Sequence, residues 1–143
     1  MGLLATDVTP FQPTGPTVLI PTAKDTYVKV FQVARTDTGS VLKAVLAADA
    51  TITRLDFYGG TASDAGTSAT VSLTVANNSG TLSTGSVDVK ANGATTARIQ
   101  MSNLPNLEPR PLLGDITIKA TYAETGTAST TGGPWFILVE FIR

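Results

Sequence analysis

Residues 69–77, ATVSLTVAN, alternate without a break: Val71, Leu73 and Val75 fall on one side, Thr70, Ser72 and Thr74 on the other. Successive side chains of an extended chain point to opposite faces, so a period of two means a strand with one face in a core and one in water. Other stretches repeat the pattern. TYVKVFQVA places Tyr27, Lys29, Phe31 and Val33 on one face and Val28, Val30 and Gln32 on the other, and GDITIKATY sets Ile116 and Ile118 against Thr117 and Lys119. Val, Ile and Thr suit a pleated, half-buried surface. TDTGS, GGTASDAGTS, NNSG, ANG and ETGTASTTGGP fall between these runs at regular spacing, and each is rich in residues that turn a chain. Short strands so punctuated predict a sandwich or barrel. SVLKAVLAADA at 40–50 has partial helical spacing, but it is short and flanked by strand signals, so it reads as a strand.

Proline marks two segments that do not fit this pattern. Residues 1–26 carry Pro10, Pro13, Pro16 and Pro21, and residues 103–114 carry Pro105, Pro109 and Pro111. Each removes a backbone donor and holds its predecessor extended. The first segment reads as an extended arm with a short apolar patch, Val18-Leu19-Ile20, and the second as an extended crossing segment. An arm of this kind is a floppy terminus, a first edge strand or a strap laid over a neighbouring subunit. The domain proper is then expected over 27–143.

Two strands test the reading further. In SVDVKANGATTARIQM the turn residues are Asn92-Gly93, and a three-residue loop Ala91-Asn92-Gly93 would set Val89 opposite Thr95 and Val87 opposite Ala97, with Gly93 where a left-handed residue is needed. In the terminal stretch WFILVEFI every residue but Glu140 is apolar. A strand with one wet face should alternate, so the second face of this one is expected to lie under another layer of protein. Trp135, which follows Gly-Gly-Pro and opens the strand, reads as core, and Glu140 is expected to find a partner or water because an unpaired buried carboxylate is costly. The Gly/Thr/Ser-rich connection from Ala123 to Pro134 is expected to be exposed and mobile.

Composition narrows the chemistry. The chain of 143 residues is of single-domain size and contains neither Cys nor His. Disulfides, imidazole metal sites and His-based triads are therefore excluded. Ten basic residues against eleven acidic ones give a net charge of −1, with no basic cluster to track phosphates, so nucleic acid is not an expected partner. Only 15% of residues are charged, and a large assembly with much buried subunit surface tolerates such a composition well. No run approaches a membrane span, and MGLLATDVTPF lacks the basic start of a signal peptide. Gly2 and Thr6 fit the loose myristoylation pattern, which is short and needs a eukaryotic enzyme. Asn77-Asn78-Ser79 is a formal glycosylation sequon that reads as a turn.

No nucleotide-binding glycine pattern, nucleophile elbow or metal-ligand spacing is present. A carboxylate pair could arise only in space, from Asp56, Asp115, Glu124 or Glu140, and a strand-end or turn role is the simpler reading of Asp56 and Asp115. Asp64 stands alone in the loop Thr61–Thr67, where calcium would want several oxygens. The chain is thus expected to be non-enzymatic, with no cofactor and no metal.

The proline-bearing arm, the Thr/Ala/Gly-rich strands and the close GDITIKATYAETGTASTTGGPWFILVEFIR resemble the small capsid decoration (cement) proteins and related virion proteins of tailed bacteriophages. The resemblance is one of style over most of the chain. It implies a β-sandwich or jelly-roll fold, no catalytic residues, and dimers or trimers seated on the major capsid protein at the exterior of a virion assembled in the host cytoplasm. The expected fold is an all-β, jelly-roll-like sandwich of about eight strands with an extended N-terminal arm. Expected contacts are Phe11, Val18, Leu19 and Ile20 of the arm, Leu107, Arg110 and Leu112 of the proline-rich segment, and Trp135, Phe136 and Phe141 of the last strand, since aromatic anchors favour protein interfaces. A carbohydrate-binding module or receptor-binding tail or fibre component is the competing reading; it calls for an exposed aromatic platform at Tyr58, Tyr122 or Trp135.

Overall fold

The computed structural model describes residues 25–91, 97–98 and 114–143. These residues form eight strands and no helix: β1 (Thr26–Val33), β2 (Val41–Leu46), β3 (Thr51–Tyr58), β4 (Ser68–Asn77), β5 (Gly80–Asp88), β6 (Ala97–Arg98), β7 (Ile116–Thr125) and β8 (Trp135–Ile142). They make two four-stranded sheets in the orders β1-β8-β3-β6 and β2-β7-β4-β5, with every neighbouring pair antiparallel. The result is an all-β, β-sandwich-like fold. First and last strands pair, and so do second and seventh, third and sixth, and fourth and fifth.

Alternation fixes which face turns inward. On β4, Ala69, Val71, Leu73 and Val75 are fully buried, while the residues between them are half-buried. On β7, Ile116, Ile118, Ala120 and Tyr122 face the same core, and β8 contributes Trp135, Ile137, Val139 and Phe141 from the other sheet. Each fully buried Val, Leu, Ile or Phe stabilises the fold by about 1.5–3 kcal/mol. A register slip of one residue would turn the whole set to water, so the pattern fixes the register. Within the 40–50 stretch Val41–Leu46 is a strand, with a register shift between Leu42 and Ala44 that leaves Ala44 and Leu46 inward.

The apolar β8 is a central strand, hydrogen-bonded to β1 on one side and β3 on the other. Its outer residues Phe136, Leu138, Glu140 and Ile142 are half-buried. In register they lie beside Gln32, Val30, Val28 and Thr26 of β1, so neighbouring strands supply part of their cover.

The expected hairpin around Asn92-Gly93 needs correction. Val87 does not face Ala97. Val87 pairs with Val71 of β4, and Ala97 pairs with Phe57 of β3, in the other sheet. Val89 is also taken: its N–H donates to the Ala69 carbonyl (2.9 Å) and its carbonyl accepts from Ser63 N–H (3.0 Å). The tight turn at Asn78-Ser79 had already folded β5 back onto β4, and Asn77 Oδ1 holds that turn by accepting from Ser79 N–H (2.9 Å) and Oγ–H (2.7 Å). Asp25 exchanges two backbone hydrogen bonds with Arg143 (3.0 and 3.1 Å) and β1 begins at Thr26, so pairing starts inside the 1–26 segment. The rest of that segment, residues 1–24, and residues 103–113 of the proline-rich crossing lie outside the described residues.

Candidate functional site

Three connections and the end of a fourth strand meet at one end of the sandwich: the β1–β2 loop, the β3–β4 loop, the β7–β8 loop and residues 89–90 after β5. Carboxylates tie them together. Asp64 of the β3–β4 loop accepts hydrogen bonds from Thr130 N–H (2.8 Å), Thr130 Oγ–H (2.7 Å) and Thr131 N–H (2.8 Å). These donors, the Thr130 hydroxyl first, hold the Asp64 carboxyl down at about 2 from its ordinary 3.8. Asp64 is therefore a clasp between two loops. Among the described residues no group of three or more acidic side chains is placed to hold a metal ion.

Glu124, near the end of β7, clasps the same loop from the other side. Its Oε2 accepts from Ser129 Oγ–H (2.5 Å), Ser129 N–H (3.2 Å) and Tyr122 O–H (2.6 Å). The Ser129 hydroxyl, then that of Tyr122, keeps the carboxyl below the usual range. Because Tyr122 donates its one proton to Glu124, Ser63 Oγ–H must donate to the Tyr122 oxygen (2.8 Å), and Ser63 Oγ accepts from Ala65 N–H (3.3 Å). A chain of hydrogen bonds thus runs from buried Ser63 to the solvent edge. The β7–β8 loop, expected to be mobile from its Gly/Thr/Ser content, is exposed but pinned at Ser129, Thr130 and Thr131.

Beneath this network, Tyr122 stacks on Trp135 with ring centroids 5.4 Å apart. Both are in the core, Trp135 at 0% exposure and Tyr122 at 2%. Gly60 lies over the indole edge, where an added Cβ would come 2.6 Å from Trp135 Cδ1 and 2.5 Å from the Pro134 carbonyl oxygen. Trp135 Nε1 has no hydrogen-bond partner among the described residues. Neither ring is available as a glycan platform; Tyr58 is half-buried and stacked on Phe136 at 5.7 Å.

An open cleft of about 650 Å³ lies beside the clasp. Gln32, Arg35, Thr36 and Thr38 from β1 and the β1–β2 loop line it together with Glu124, Ser129 and Pro134 from the end of β7 and the β7–β8 loop. Arg35 Nη1 donates to the Ser129 carbonyl, which holds the guanidinium along the loop. Next to it, Asp37 accepts from Ala34 N–H (2.8 Å) and pairs with Lys43 (2.5 Å). Charges in and around the cleft are balanced pair by pair.

The second surface feature is apolar. Val28 and Val30, 55% and 51% exposed, project from the outer face of edge strand β1 in register with Glu140 and Leu138. Leu42 and Val45 are exposed on β2, the edge strand of the other sheet, and Tyr27 is exposed and stacked on Phe141 at 5.5 Å. A cleft of about 320 Å³ between these edges is lined by Tyr27, Lys29, Val45 and Phe141.

Of the residues singled out as contacts, Trp135 and Phe141 point into the core, and Phe136 points outward, half-buried. Phe11, Val18, Leu19, Ile20, Leu107, Arg110 and Leu112 lie outside the described residues. The carboxylates are dispersed by role. Asp56 is buried and paired with Arg54, Glu140 accepts from Thr53 Oγ–H (2.9 Å), Asp115 is exposed before β7, and Glu124 is in the clasp. Sequence reasoning missed Ser129, Arg35 and Ser63. Arg35 and Ser129 are 94 residues apart and Ser63 and Tyr122 are 59 apart, so no local signal marks those contacts.

No protein-family model matches the chain, and no curated protein or solved structure matches it either.

Proposed function

We propose that the chain is a non-enzymatic structural protein that binds and stabilises a bacteriophage capsid surface, as a dimer or trimer on the virion exterior: a decoration or cement protein. The observation that carries this reading is the outer face of the β1–β8–β3–β6 sheet. Val28 and Val30 stand exposed on β1, Val30 beside half-buried Leu138 and Val28 beside Glu140, with half-buried Ile142 and Phe136 further along β8. Contiguous exposed apolar area mostly marks a protein–protein contact. Such a contact needs no catalysis, and repetition of one weak contact around a shell multiplies its strength.

We further propose that the two sheets are wrapped as a jelly roll. Pairing of first with eighth, second with seventh, third with sixth and fourth with fifth strand is what results when one long antiparallel ribbon is coiled into two Greek keys. Viral capsid and lectin domains both use that architecture, so it supports a virion role by analogy only. The segment 1–24 leads into the structure at Asp25, which is tied to Arg143 beside β8. The arm and the proline-rich segment belong to the proposed contact, through the residues named from the sequence.

The test is a double variant, Val28→Asp with Val30→Asp. Both side chains are exposed, but Val28 lies opposite Glu140 and Asp suits a strand poorly, so the fold should lose only about 1–2 kcal/mol and the variant should keep its far-UV circular dichroism. Binding to shells assembled from the major capsid protein should be lost, together with self-association. A folded variant that binds shells as well as the wild type would overturn the reading of this face.

A further inference from the structure

The cleft at the loop end lies outside that apolar face and has a different chemistry. Gln32, Thr36 and Thr38 make no side-chain hydrogen bond among the described residues, and all three are exposed. An amide and two hydroxyls offer donors and acceptors together. The formal charges at the cleft are Arg35 and Glu124, which offset each other, and the Asp37–Lys43 pair beside it is closed. The site therefore has no net charge to attract an ion. It is walled by apolar groups as well, Ala34 and Pro134. Gln32 also ends a row across the outer face: in register, Tyr58 of β3, Phe136 of β8 and Gln32 of β1 lie side by side, with the two rings stacked.

We propose that this cleft is a binding site for a neutral saccharide, whose hydroxyls pair with Gln32, Thr36 and Thr38 and whose chain continues toward the Tyr58–Phe136 pair. A neutral polyol matches a wall of bifunctional groups, and sugar C–H faces match proline and aromatic rings. The volume lies within the range of small-molecule sites. Glu124 and Arg35 act as positioning residues: both hydrogen-bond Ser129, which lines the cleft. The clasp makes the site pre-formed, so little ordering accompanies binding.

The experiment titrates the isotope-labelled full chain with lactose, chitobiose, mannobiose and maltose at millimolar concentration, following backbone amide resonances. At least one sugar should shift the amides of residues 32–38 and 129–134. The double variant Gln32→Ala with Thr38→Ala, whose melting should match the wild type, should bind that sugar roughly tenfold more weakly, as loss of two hydrogen-bonding side chains implies. No shift with any of the four sugars, or shifts that survive the double variant, would overturn the proposal. So would a response to acetate or phosphate alone, which would make the cleft an anion site. The shell is absent from this titration, so its result is independent of capsid attachment.

Discussion

Gly60→Ala isolates the packing of the β3–β4 loop on Trp135. Gly60 has a φ of +86°, and an added Cβ would lie 2.5 Å from the Pro134 carbonyl oxygen and 2.6 Å from Trp135 Cδ1. Neither neighbour can easily give way: one is backbone and the other a fully buried ring. The left-handed backbone costs an alanine about 1–2 kcal/mol, and forcing a methyl into filled space costs about 1–3 kcal/mol more. The sum is about 2–5 kcal/mol. At about 3 °C per kcal/mol for a domain of this size, Tm should fall by roughly 6–15 °C. Two controls separate the contributions. Gly80 has a φ of +125° with nothing within 4 Å of an added Cβ, so Gly80→Ala reports backbone strain alone. Gly39 also has open space and needs no positive φ, so Gly39→Ala should be neutral or stabilise by up to about 1 kcal/mol. Thermal unfolding followed by circular dichroism should rank Gly60→Ala lowest, Gly80→Ala next and Gly39→Ala at or above wild type. A Gly60→Ala protein that melts with Gly39→Ala would refute the packing of this turn on the indole.

Tyr122→Phe keeps the stack on Trp135 but leaves buried Ser63 short of a partner, and should cost about 1–3 kcal/mol in urea unfolding. Ser63→Ala combined with Tyr122→Phe should cost less than the sum of the single changes, because both partners are then apolar. Acid should loosen the loop clasp. Asp64 titrates at about 2 when folded against 3.8 for the free group, so the unfolded chain takes up the proton first as pH falls. The stability Asp64 contributes is whole above 3.8 and is lost on descending through about 2, and a Tm–pH profile of Asp64→Asn should lack that slope. Trp135, at 0% exposure, should emit at short wavelength and resist iodide quenching, and an exposed-type spectrum would contradict its place in the core.

The legible part of the sequence was the part governed by neighbours along the chain. Alternation in 69–77 and 116–122 identified both strands and their inward faces, because each has a core on one side only. The terminal strand was harder. Three of its four outer residues, Phe136, Leu138 and Ile142, are apolar where it lies between β1 and β3, and period two says nothing about which strands flank a strand. The Asn-Gly turn misled for a related reason. A turn signal is local, whereas β5 is held by β4 and β6 by β3, in separate sheets. Asp64 looked like a lone acid because its three donors lie at Thr130 and Thr131. Ser129 sits five residues from Glu124, but its contact with Arg35, 94 residues away, exists only once β1 has paired with β8. The cleft, made from two connections far apart in sequence, had no signature at all.

Attachment to a capsid is decided by sedimenting particles from the lysate of the chain's natural source and counting its copies against the main shell protein. A decoration protein travels with megadalton particles in many copies, at a fixed ratio to the shell subunit, and Val28→Asp with Val30→Asp leaves it in the supernatant. A chain that stays soluble beside intact particles would contradict the virion reading, and a few copies per particle would move it from the shell to the tail.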